Sequence, residues 1–71
     1  MDIRTLRKEM GLSQGEFASR VGLSSKGYVS KIEAANRCSV KVALEIERLS
    51  NGRIPASSIN ESVAVVEGAR A

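Results

Sequence analysis

Histidine is absent from this chain and cysteine occurs once, as Cys38. The first absence removes the commonest general base and every nucleophile arrangement that relies on an imidazole; together the two leave too few ligands for a zinc site of three or four Cys and His. A lone cysteine forms no intrachain disulfide, so the chain does not read as a stapled secreted mini-protein, and a reducing compartment is its natural setting. Nothing in the sequence would activate the thiol, which reads as structural or incidental. Long apolar runs are missing too. The longest is Val63 to Val66, and the N-terminus, Met1-Asp2-Ile3-Arg4, has no apolar stretch of signal-peptide type, so neither export nor a membrane span is supported and the cytoplasm is expected. Aromatic residues are 3% of the 71, against 42% hydrophobic overall, so the core must be aliphatic. A chain of about 60 residues buries only about 60% of its unfolded surface, which allows one core and no deep catalytic cleft.

What remains is weakly basic, with a net charge of +3. The charge is uneven: residues 1–53 hold ten of the eleven Lys and Arg against six acids, whereas residues 54–71 hold Arg70 against Glu61 and Glu67. A basic body suits a polyanionic partner, and the last segment does not share in it.

Apolar positions recur three and four apart through the first fifty residues, which is the helical period. Asp2 caps a first helix over about 3–10 with the stripe Ile3, Leu6, Met10; Arg4, Arg7, Lys8 and Glu9 are expected in solvent, and Gly11 supplies the left-handed residue that ends it. Ser13 with Glu16 forms a capping box, and Leu12 is placed to staple onto Phe17, opening a second helix over about 14–21 that buries Phe17, Ala18 and Val21 and stops at Gly22. Ser25 caps a third helix whose buried side is expected to centre on Val29 and Ile32. Gly27, Ser30, Lys31 and Ala34 then face outward, with Lys26 and Tyr28 flanking at the N-terminal end. A loop through Asn36-Arg37-Cys38-Ser39 leads to a fourth helix from Val40 to Leu49, with Val42, Ala43, Ile46 and Leu49 inward, ended by Asn51-Gly52. One further helical turn has Pro55 at its first position and returns Ile54 and Ile59 to the core. The pattern predicts an all-α domain of five helices over residues 1–59 and a C-terminal tail over 60–71, frayed or, through Ser62-Val63-Ala64-Val65-Val66, able to pair as a strand.

Two short helices joined by Gly22-Leu23-Ser24, the second with a small, polar, positive face, form a helix-turn-helix pattern, in which the second helix enters the DNA major groove. Lysine amines donate to guanine O6 and N7 or to phosphate, serine hydroxyls to either, and a tyrosine hydroxyl at a helix N-terminus reaches phosphate. Lys31 is the foremost candidate for reading a base, and Asn36, Arg37 and Lys41, which follow the recognition helix, are candidates for bracketing the backbone. Tyr28 has the alternative of lying over the second helix as a half-buried hydrophobe, and Gln14 of being a neutral first-turn residue.

The run Leu12-Ser13-Gln14, Glu16-Phe17-Ala18, Val21-Gly22-Leu23-Ser24, Val29-Ser30-Lys31-Ile32-Glu33 resembles the Cro/CI-type, lambda-repressor-like helix-turn-helix family over residues 3–50. Ala43 to Ile54 is similar to small phage Cro and YdaS-like repressors. The resemblance implies a lambda-repressor-like five-helix DNA-binding domain with its motif at helices two and three. It also implies a backbone or side-chain contact from Gln14 and base contacts from Lys26, Gly27 and Lys31. Two departures stand out. One extra residue lies between Leu23 and the third helix's cap, and Gly27 occupies a position where the family often carries a base-reading side chain. Either specificity leans on Lys26, Tyr28, Ser30 and Lys31, or Gly27 lets the backbone approach the groove.

The expected function is a sequence-specific regulator of phage or prophage type that binds a double-stranded operator as a homodimer, through helix four and Ile54, and represses by occupancy. The DNA-binding set is Gln14, Ser25, Lys26, Gly27, Tyr28, Ser30, Lys31, Asn36, Arg37 and Lys41, with no cofactor and no metal. An antitoxin-like chain, whose segment Val63 to Val66 folds on a partner protein, is the alternative. No carboxylate pair, nucleophile-base set or phosphate loop supports an enzyme.

Overall fold

The computed structural model describes residues 1–63, and within them the chain is all-helical: α1 (Ile3–Glu9), α2 (Gln14–Val21), α3 (Lys26–Ala35), α4 (Val40–Leu49) and α5 (Ala56–Ile59). No helix among the described residues is long and apolar enough to cross a membrane. Each of the first four helices begins after the polar residue the sequence marks. Thr5 N–H donates to Asp2 Oδ1 at 2.8 Å, Val42 N–H to Ser39 Oγ at 3.4 Å, and α2 carries the full capping box, with Glu16 N–H on Ser13 Oγ and Ser13 N–H on Glu16 Oε1. Hydrogen bonds from Ser13, the backbone first and then the hydroxyl, hold the Glu16 carboxyl below its usual range. Ser25 stands at the head of α3 in extended conformation but makes no side-chain capping bond. Ser13→Ala is therefore expected to destabilise the domain by about 1 kcal/mol in urea unfolding, and Ser25→Ala by much less.

The core runs through all five helices: Ile3 and Leu6 from α1, Phe17, Ala18 and Val21 from α2, Val29 from α3, Val42, Ala43 and Ile46 from α4, and Ala56 and Ile59 from α5. Met10, Ile32 and Leu49 are only partly buried against it. Three expectations change here. Ile54 lies inside this core at 1% exposure, so it offers nothing to a second subunit. Pro55 precedes α5 as its cap rather than opening its first turn; since it has no capping side chain, the Glu47 carboxylate reaches over from α4 and accepts from Ala56 N–H at 2.9 Å. Val63, the first residue of the apolar segment expected in the tail, is also buried in the core. Asn60 turns the chain toward it, with Ser62 N–H on its Oδ1 and Val63 N–H on its carbonyl. The rest of that segment, with the strand or frayed end expected of it, lies outside the described residues.

Candidate nucleic-acid interface

Gly22 ends α2 with φ +78°, in the left-handed region that only glycine enters freely, and the N–H groups of Gly22 and Leu23 both donate to the Ala18 carbonyl. The chain then needs Leu23-Ser24-Ser25 to reach α3. Leu23 fills the corner by packing on the core. Phe17, Ala18 and Val21 of α2 meet Val29 of α3 there, which fixes the two helices against each other.

The face of α3 turned away from α2 is as the periodicity predicts: Lys26, Gly27, Tyr28, Ser30, Lys31 and Ala34 are all exposed. The buried face is not. Its residues are Val29 and Glu33, one turn apart, and Ile32 is only partly covered. Glu33 has a side chain with no exposure. Its carboxylate accepts from Arg7 Nε at 2.5 Å and Nη2 at 3.4 Å and from Gln14 Nε2 at 3.2 Å, while Arg4 Nε stands 3.5 Å away. Arg7 also donates to the Leu12 carbonyl at 3.0 Å. Arg7 is thus drawn out of solvent and into a junction of α1, α2 and α3. Burial pushes the Glu33 carboxyl up, but the hydrogen bonds from Arg7 and Gln14 and the charge of Arg7 outweigh it and hold the group below its ordinary range.

Ser25, Gly27, Tyr28 and Lys31 line one shallow, open recess at the N-terminal end of α3. Tyr28 is 51% exposed at its edge. Lys26 and Ser30 share the exposed surface of the same helix. Gln14 sits at the start of α2, half-buried, its amide nitrogen committed to Glu33. Asn36, Arg37 and Lys41 lie at the other end of α3, a helix length of about 15 Å away. Asn36 caps α3 with φ +52° and accepts from Ile3 N–H on Oδ1 at 3.0 Å, so its side-chain oxygen tethers the head of α1. Arg37 meets Glu61 at 2.6 Å in an exposed pair, and Lys41 is exposed on the first turn of α4. Cys38 is half-buried, and burial pushes its thiol up to about 11, so it stays protonated.

Most of the arginines face carboxylates and the lysines do not. Arg4 and Arg7 face Glu33, Arg37 faces Glu61, Arg48 faces Glu45 and Arg53 faces Glu9; among the described residues Arg20, Lys8, Lys26, Lys31 and Lys41 face no carboxylate within ion-pair distance. Three of those four lysines belong to the expected DNA-binding set. Glu33 and Arg7 are what sequence reasoning missed: neither reaches outward, yet they hold the helices that do. A signal existed in the four-residue spacing of Glu33 from Val29.

A family model described as helix-turn-helix matches residues 3–51 of the chain. No curated protein and no solved structure matches it.

Proposed function

Because the chain belongs to the Cro/CI-type helix-turn-helix family and is on that ground a DNA-binding transcriptional regulator, we propose that it is a Cro-like repressor that acts by occupying its operator as a homodimer. The observation that carries this reading is the outer face of α3, where Lys26, Tyr28, Ser30 and Lys31 stand exposed beside Gly27 with no acidic residue among them. An α-helix so furnished fits the major groove, and its two lysines answer guanine O6 and N7 or phosphate. Lys31, a turn inside the helix, reads a base; Lys26 and Ser25 hold the head of the helix to the groove; Gln14, with its side-chain oxygen still able to accept, braces the same junction. Lys41 and Arg37 contact the backbone, Arg37 by exchanging Glu61 for a phosphate, and Asn36 serves by keeping α3 and α1 in register. A single module of this kind buries only roughly 600–1,000 Å² of protein surface on DNA, so two copies on half-sites about 34 Å apart are needed for useful affinity.

The test is binding of the purified chain to DNA from its own upstream region and to a shuffled control, across a salt series. Lys31→Ala is expected to lose about 1–3 kcal/mol on the specific duplex and to narrow the gap to the control. Lys41→Ala should weaken both duplexes alike and lower the salt slope by about one. Equal, weak binding of wild type to both DNAs would overturn the operator reading.

A further inference from the structure

The recess at the head of α3 has a shape and a chemistry that narrow what it can read. A Cβ built on Gly27 would meet only Ser25 Oγ, at 3.7 Å, so the space over that residue is open. On its borders stand the exposed ring of Tyr28 and the ammonium of Lys31, and none of the four lining residues is acidic. The ammonium offers three donors and no acceptor. The bare backbone and the ring beside it offer an apolar group somewhere to sit. On the major-groove edge of a duplex these needs are met together where a pyrimidine 5-methyl group adjoins an acceptor, either O4 of the same thymine or O6 and N7 of a neighbouring guanine.

We propose that the recess lined by Ser25, Gly27, Tyr28 and Lys31 seats the 5-methyl group of a pyrimidine while Lys31 donates to the adjoining acceptor; this rests on the DNA-binding reading above. Thymine and 5-methylcytosine carry that methyl at the same place in the groove. The protein's hold on DNA therefore responds to cytosine methylation wherever the methylated base adjoins a guanine. Unmethylated cytosine offers no methyl, and its N4 amino group is a donor set against the donor of Lys31.

The 71-residue chain is first used to select duplexes from a randomised pool. The selected duplex is then remade with each thymine replaced singly by deoxyuridine, by cytosine and by 5-methylcytosine. At one pyrimidine per half-site, uracil is expected to weaken binding about fourfold, which is what about 0.8 kcal/mol for one buried methyl corresponds to. At that position 5-methylcytosine should bind better than cytosine by a similar factor. Gly27→Val, whose side chain occupies the recess, should bind the thymine and uracil duplexes alike; the wild-type comparison decides the matter alone should that variant fail to fold. Equal wild-type affinity for thymine and uracil at every position would overturn the methyl pocket and leave the DNA-binding reading standing. Methyl-sensitive binding in which 5-methylcytosine does no better than cytosine would overturn the methylation response and confine the recess to thymine. Failure to enrich any sequence would overturn the DNA-binding reading itself.

Discussion

Replacing Glu33 with alanine is expected to destabilise the domain by about 3–5 kcal/mol, because it leaves the Arg7 guanidinium half enclosed with no countercharge and Gln14 with no acceptor. A chain of this size has roughly 4–11 kcal/mol in all, so the variant loses a large share of its stability and is expected to melt far below wild type. The paired substitution Arg7→Met with Glu33→Leu separates the cost of an orphaned charge from the worth of the pair. It should recover most of the loss, since a buried ion pair and an apolar pair of similar volume are often equivalent. A double variant as unstable as Glu33→Ala would mean that the network itself, and not the stranded charge, is what counts. Acid unfolding gives a second readout. The Glu33 carboxyl lies below its ordinary 4.5 in the folded state, so its contribution is complete above that pH and is lost as pH falls from there through the lowered folded value. Asp2 and Glu16 are lowered in the same sense. Glu33→Gln should flatten the acid limb of a stability profile to the part those two exposed carboxyls supply, with little change of slope near neutrality.

Phe17→Ala is expected to cost a comparable 3–5 kcal/mol, and for a reason that begins in composition. Phe17 is the single phenylalanine of the chain and is fully buried. It belongs to α2, in the motif, and to a core whose other members are all aliphatic and smaller than a phenyl ring. Phe17→Leu keeps most of the volume and should cost less than about 1.5 kcal/mol. Chemical denaturation of the two variants measures the difference directly. Near-equal stabilities would mean that the motif's corner collapses onto the space, and that the angle between α2 and α3 is less firmly held than the packing implies.

The helix ends were legible because each is written in local chemistry. Asp2, Ser13 with Glu16, and Ser39 make the capping bonds their types predict, and Gly11, Gly22 and Gly52 take the positive φ values that stop or turn the chain. The outward face of α3 followed from the period alone. The inward face did not, since Val29 has neighbours at both three and four residues on. Hydrophobicity favours Ile32, whereas the fold selects Glu33 by supplying Arg7 from α1 and Gln14 from α2. No rule confined to one helix finds a partner two helices away. Val63 escaped for a related reason: it sits after the regular pattern has lapsed, and its burial in the core depends on elements earlier in the chain. Asn36 looked like a loop residue free to meet phosphate, and its tie to Ile3 N–H is again a contact across 33 residues.

The sorting of charge, with every guanidinium group of the described residues but that of Arg20 facing a carboxylate and the lysine amines left open, separates scaffold from reading surface by functional group. A reagent that acylates amines at neutral pH strikes the Met1 α-amine together with Lys8, Lys26, Lys31 and Lys41, and spares the arginine pairs. Light acylation thus becomes a footprint: the protein stays folded as it is labelled, and an added duplex shields whichever lysines it covers. By the proposed docking, Lys8 on α1 remains as reactive as before and serves as the internal standard against which the protection of the other three is read.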